Sequence, residues 1–224
     1  MGLNLKSLKY FEEITDILGY QNFNNLKMCQ LGDSKVRQCA RRYLFRRHNK
    51  RLYTKADEYF EDIGFEVTTI DLGIGSESIS DRVLRYDLSK PLKEEIGTFD
   101  FVLDFGTGEH VENQFELFRN IHRLCQVNGV IIRVNPSDRF GEGHGHGYSF
   151  NFYIQLSKLC GYKVIDVREM YGAYGIKNLL YYRNNLYVTM LKKRDVDFSL
   201  EEFSIVEQEI TRKESFPRKA EDRR

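Results

Sequence analysis

"FDFVLDFGTGEHVENQF", residues Phe99 to Phe115, reads as a buried strand that runs into an acidic, glycine-broken turn and then into a helix. Open α/β sheets place their ligands at the carboxyl ends of strands, so the turn from Asp104 to His110 is a candidate site wall. After it, Phe115, Phe118, Ile121, Leu124 and Cys125 fall on one helical face, and Gly129 ends the connection. "VIIRVNP" is then an apolar strand closed by Pro136. A glycine- and histidine-rich loop, "GEGHGHGYSF", follows, with Tyr148 opening a helix that sets Phe152, Leu156 and Leu159 on one side. "YKVIDVREM" and "NNLYVTMLKK" are two last strands that can pair antiparallel at a sheet edge. Beyond them, residues 195–224 turn polar, and "TRKESFPRKAEDRR" reads as a frayed or disordered tail.

Working back toward the amino terminus, "RVLRYDLSKPL" gives a short strand ending at Asp87, since Pro91 forbids its continuation. "FEVTTIDL" is a strand with Asp71 at its end. Before it, Thr54 caps a helix in "TKADEYFEDIGF", with Asp57 three residues on and Gly64 as the stop. "LKMCQLGDS" is a first buried strand halted by Gly32 and Asp33. Leu5, Leu8, Phe11, Ile14 and Leu18 recur at helical spacing, so residues 1–25 hold a packing helix. Strands alternating with helices at this pace predict an α/β fold, a mainly parallel sheet covered on both faces.

Composition agrees with one such domain over residues 26–194. The chain has 224 residues and 41% hydrophobic content, enough for one sizeable core. Its 34 basic residues against 33 acidic ones give no overall pull toward nucleic acid. No window approaches the roughly 18 apolar residues of a membrane span, and the charged first residues do not resemble a secretory signal, so a cytoplasmic protein is expected. Cys29, Cys39, Cys125 and Cys160 are widely spaced, which suits four free thiols better than a disulfide frame. One segment breaks the balance. Residues 35–55 hold nine lysines and arginines and no acid, interleaved with Tyr43, Phe45 and Tyr53. As a surface helix this is a solvated face; as a basic, aromatic patch it could hold phosphates or RNA.

The order of these signals resembles that of the class I S-adenosylmethionine-dependent methyltransferases: a glycine turn after the first strand, acids after the second and third, a "FDxVxxxGxxEHV" strand, and a glycine before the fifth. The resemblance covers about Leu26 to Lys193 and is most specific in "FDFVLDFGTGEHVENQFELFRNIHRLCQVNGVIIRVNP", which looks like the small-molecule branch. It implies a Rossmann-like, mainly parallel seven-stranded sheet with helices on both faces and an antiparallel edge strand. It also implies S-adenosylmethionine as cofactor and a small-molecule acceptor, with nucleic acid not favoured and no membrane.

Residue by residue, the resemblance assigns Gln30, Gly32 and Asp33 to the first turn, where the family carries an acid and more glycines. Asp71 corresponds to the ribose-binding carboxylate, Asp87 to the partner of the adenine amino group, and Asp104, Phe105 and Gly106 to the wall beside the sulfonium, whose charge a carboxylate favours. An aspartate at a strand end can equally be a turn residue or helix cap. Residues 35–55 then lengthen the link from first to second strand and form a lid candidate.

Five further residues belong to the acceptor side. His110 is a candidate general base, because imidazole titrates near neutrality, or it satisfies a buried carbonyl. Glu109 is a substrate contact or simply suits a helix start. His144, His146 and Tyr148 lie in the segment after the fifth strand that often completes the acceptor pocket, with His144 a second candidate base. Two alternate histidines can also ligate a metal, but a substrate loop without metal is the preferred reading. His122, on an apolar face, is a core histidine. The contrasting reading is a catalytically degenerate member that binds a partner or nucleic acid through residues 35–55.

Overall fold

The computed structural model describes residues 2–73, 83–138, 145–172 and 183–213. Six helices and nine strands occur among them: α1 (Leu5–Ile17), β1 (Lys27–Leu31), α2 (Gln38–Arg47), α3 (Ala56–Asp62), β2 (Glu66–Asp71), β3 (Val83–Arg85), β4 (Phe99–Asp104), α4 (Gln114–Leu124), β5 (Cys125–Pro136), β6 (Gly145–Tyr148), α5 (Phe150–Cys160), β7 (Tyr162–Gly172), β8 (Arg183–Lys192), α6 (Leu200–Glu207) and β9 (Ile210–Lys213). The main sheet has seven strands in the order β3-β2-β1-β4-β5-β8-β7. The β1, β2, β3, β4 and β5 ladders are parallel. The antiparallel pairing expected at the edge is that of β7 with β8, and β8 also runs against β5.

Both faces of this sheet are covered, which explains why its central strands read as near-continuous apolar runs. Met28, Phe101, Leu103, Val130 and Ile132 face α1, α2 and α3, whereas Cys29, Leu31, Val102 and Ile131 face α4, α5 and α6. Successive residues of one strand thus serve opposite cores, as the two-residue pleat requires. Helix α1 starts where the Asn4 side chain accepts the N–H groups of Lys6 and Ser7, and it buries Leu8, Phe11 and Ile14. No helix among the described residues is long and apolar enough to cross a membrane.

Several expectations are corrected. Helix α3 is capped at Lys55, not Thr54; Glu58, not Asp57, reaches back, its carboxylate accepting the Thr54 N–H at 2.7 Å. Gly129 lies inside β5, which begins at Cys125 without a separate connection. Tyr148 ends a strand, and Ser149 caps α5 by accepting the Phe152 N–H. The polar stretch after Lys193 is not a mere tail: it builds α6, whose Phe203 and Val206 enter the core, and then β9, which pairs with β6 and takes in Thr211, Arg212 and Lys213, the start of the segment read as frayed. Residues 214–224 lie outside the described residues. The described cysteines are all free thiols, three buried and Cys39 exposed.

The basic segment is an excursion closed at its base. Val36 N–H donates to Thr54 O at 2.9 Å and Ala56 N–H to Ser34 O at 2.8 Å, so the chain leaves and rejoins the fold at one place. Helix α2 buries only Ala40 and Leu44 and leans on α1, where the Tyr43 hydroxyl donates to Glu12 at 2.7 Å.

Candidate active site

Parallel pairing brings the carboxyl ends of β3, β2, β1, β4 and β5 to one edge, and the chain reverses direction across the sheet between β1 and β4, the place where such sheets bind ligands. Gly32 makes the turn after β1 at φ 84°, a left-handed backbone that side chains resist. A Cβ there would stand 2.0 Å from the Thr107 hydroxyl, which bonds Leu31 O at 2.9 Å and so ties the β1 turn to the β4 turn. Gln30 is buried and donates its amide to Gly32 O at 2.8 Å; its Oε1 has no hydrogen-bond partner among the described residues.

Asp71 is half-buried at the end of β2. One carboxylate oxygen accepts the Asp33 N–H at 2.8 Å and the other the Gly73 N–H at 2.6 Å, which fixes its orientation and leaves each oxygen further lone pairs. The Asp33 carboxylate pairs with Lys55, at the far end of the basic excursion. The lid candidate therefore touches the first turn through Lys55, while α2 rests on α1. Asp87 lies two residues past β3; the Ser89 hydroxyl at 2.6 Å and N–H at 3.0 Å hold its carboxyl below the usual range. Phe105 is buried in the core shared with α1 and α3, and Gly106 follows it into the turn.

The end of β4 is built differently. Asp104 and Arg133 stand opposite each other in the β4–β5 register, both fully buried on the face that carries α4 and α5. Arg133 Nε and Nη2 donate to Asp104 Oδ2 at 3.0 and 2.8 Å, and the N–H groups of Thr107 and Gly108 donate to Oδ1 at 3.0 Å each. The guanidinium is enclosed by rings, 4.3 Å from the Phe118 centroid and 4.8 Å from that of Tyr148, and donates to the Tyr153 hydroxyl at 3.1 Å. Asn135 bridges to a second buried carboxylate, its amide reaching Asp104 at 3.2 Å and Glu109 Oε2 at 2.8 Å. Burial, with the nearby Asp104 charge adding to it, pushes the Glu109 carboxyl up to about 8.

These contacts correct three expectations. The charge of Asp104 is taken by Arg133 behind it, so it cannot act as a bare carboxylate toward a sulfonium. Glu109 is 1% exposed and sits in the 3-10 turn Gly108–His110 ahead of α4, not at the helix start. Tyr148 is fully buried, because the β6–β9 pairing turns it inward to donate to Gln114 Oε1 at 2.8 Å. All three set the shape of the wall from behind. His110 does reach the surface: its side chain is 42% exposed, with Nε2 3.7 Å from Glu109 Oε1. His146 Nδ1 lies 3.2 Å from both Glu109 O and the Gln114 amide, tying β6 to the turn. Gly145 allows that approach, as a Cβ would meet Glu109 O at 2.6 Å. His144 lies outside the described residues. His122 is buried as expected, next to the Tyr162 hydroxyl at 2.8 Å.

Arg133, Asn135 and Gln114 were not singled out from sequence. Arg133 and Asn135 had a signal: a cation and an amide two residues apart in an otherwise apolar buried strand need partners on the same face. Among the described residues no group of three or more histidines, cysteines or carboxylates could hold a metal ion.

No family model matches the sequence, and no curated protein matches it. Solved structures do match. The chain is similar to Burkholderia thailandensis 1,6-didemethyltoxoflavin-N1-methyltransferase, whose structure holds 1,6-didemethyltoxoflavin and S-adenosylhomocysteine, at 15% identity and TM-score 0.53 over 83% of this chain and 77% of that one. It is similar to a SAM-dependent methyltransferase from Methanosarcina mazei at 10% identity and TM-score 0.51 over 79% and 96%. A third likeness, at 12% identity and TM-score 0.51, is to Haemonchus contortus phosphoethanolamine N-methyltransferase 2 in complex with S-adenosyl-L-methionine, over 84% of this chain and 53% of that one. Strand order, the reversed β8 and these likenesses agree: the chain has the fold of the class I S-adenosylmethionine-dependent methyltransferases.

Proposed function

We propose that the chain is an S-adenosylmethionine-dependent methyltransferase that acts on a small-molecule acceptor. The observation that carries this reading is Asp71, a half-exposed carboxylate at the end of β2 whose two oxygens are each anchored by one backbone N–H and still have room to accept. A carboxylate so held accepts both hydroxyls of a ribose, as a neutral amide does less well. Asp87, two strands from β1, takes the adenine amino group, and the turns at Gly32–Asp33 and Phe105–Gly106 flank the methionine end.

Bound S-adenosylmethionine supplies a methyl carbon made electrophilic by the positive sulfur. The protein's share is positioning: the Thr107 link between the β1 and β4 turns and the Asp104–Arg133 pair fix the two walls relative to each other. His110, on the exposed side of the β4 turn, is placed to take a proton from the acceptor. Calorimetric titration with S-adenosylmethionine and S-adenosylhomocysteine, with Asp71→Ala alongside, tests the reading. Micromolar binding that the variant weakens tenfold to hundredfold is expected. Folded protein that gives no heat with either ligand would overturn it.

A further inference from the structure

The cations of residues 35–55 divide into those the fold uses and those it does not. Lys55 pairs with Asp33 and Arg51 with Asp62, Arg41 donates to Val36 O at 3.3 Å, and the Arg47 guanidinium lies 5.4 Å from the Tyr43 centroid. Lys35, Arg42, Arg46 and Lys50 are exposed, and among the described residues no carboxylate forms an ion pair with any of them. The acids at hand, Asp33 and Asp62, hold Lys55 and Arg51 and leave the middle of the excursion bare.

Helix α2 is also poorly supported from within. Asn4 caps α1 and Ser199 caps α6, which adds Glu201 and Glu202 in its first turn. Helix α2 has neither a side-chain cap nor a first-turn acid. It holds four arginines and no carboxylate, and Arg42 repels Arg46 one turn on. Gln38, Arg42, Phe45 and Arg46 fall on one side of it. Phe45 is half-buried and packs in neither core, whereas Tyr43 lies against the core shared with α1 and α3. A surface that serves solubility alone intersperses both signs of charge. This one has a single sign, with a ring set between two guanidinium groups.

We infer that this face of α2 docks a single-stranded nucleic acid: Arg42 and Arg46 take phosphates, Lys35 and Lys50 extend the track at either end of the helix, and Phe45 stacks on a base. Guanidinium groups grip phosphate oxygens in pairs, and every base offers a face to an aromatic ring. An acidic peptide would satisfy the cations and leave Phe45 unused. A bilayer needs an apolar helix face to receive, and α2 turns Ala40 and Leu44 into the protein instead. The site is separate from the Asp71 edge and does not depend on the methyltransferase reading.

Fluorescence anisotropy of the full chain with a labelled mixed-sequence RNA of about 20 nucleotides tests the inference at several salt concentrations. Expected is micromolar binding whose logarithm falls with the logarithm of salt at a slope of about −3, four cations at about 0.7 each. Arg42→Gln with Arg46→Gln should weaken binding at least about tenfold and roughly halve the slope. Phe45→Ala should weaken it about tenfold with the slope unchanged, a split that charge alone does not produce. These side chains lie outside both cores, and thermal unfolding checks that each variant keeps the fold. No saturable binding, or binding that the double arginine variant leaves intact, overturns the inference. Polyglutamate or phosphatidylserine vesicles binding as tightly as RNA, or Phe45→Ala without effect, overturns it as well, because α2 would then be a general anion surface. None of these measurements needs S-adenosylmethionine, so calorimetry with the cofactor stands or fails separately.

Discussion

Asp71 and Asp104 both end a parallel strand on the same edge of one sheet, with β1 between them, yet they are held in opposite ways. Asp71 is half-exposed, its oxygens met by two backbone N–H groups and, among the described residues, by no cation. Asp104 is sealed from water, with a guanidinium, an amide and two backbone N–H groups on it and a cage of aromatic rings around the guanidinium. A carboxylate meant to meet a ligand keeps lone pairs and solvent access, whereas one meant to shape a turn gives up both. The same residue type at the same kind of position therefore does two jobs, and its environment decides which.

The sharpest way to break this contrast is Arg133→Met. Removing the guanidinium strands the buried Asp104 carboxylate and is expected to cost about 3–5 kcal/mol in urea unfolding. A loss under about 1 kcal/mol would mean that the Asp104 pair does not hold the β4 turn. Asp71→Ala acts on the open side, where the expected effect is a tenfold to hundredfold weaker S-adenosylhomocysteine affinity by calorimetry, the scale of hydrogen bonds to a charged group. Gly32→Ala joins the two regions, because its Cβ would collide with Thr107. It is expected to cost about 1–3 kcal/mol, and adding Thr107→Ala should restore only the part owed to the collision, leaving the left-handed backbone cost.

The smallest expected effect is a slope. The folded chain keeps a proton on Glu109 up to about pH 8 that the unfolded chain releases in the ordinary carboxylate range. The native state thus binds more protons in that window, so stability falls as pH rises through it, by no more than about 1.4 kcal/mol per pH unit. Urea unfolding at several pH values should show this decline in the wild type and a flatter profile in Glu109→Gln.

What the sequence disclosed follows the same division. Strand ends such as Asp71 and Gly32 are legible because local signals, an apolar run and a turn residue, mark them. The network at Asp104 is not, because its parts come from β4, β5, α4 and β6, and only register brings Asp104 opposite Arg133. Tyr148 was misplaced for a related reason: its inward turn depends on β9, sixty residues on, within a stretch that reads as tail by composition. The cap of α3 moved one residue because Glu58 outreached Asp57, a difference of side-chain length that no propensity resolves.

The basic excursion has a consequence for handling the molecule. Its nine cations leave 25 basic against 33 acidic residues elsewhere, while the whole chain carries a formal charge of only +1. Arg42, Arg46 and Arg47 point outward from α2, on one side of the fold. The chain is thus an electric dipole more than a neutral body, and a cation exchanger should retain it near its isoelectric point, docked by this one helix, and release it with modest salt.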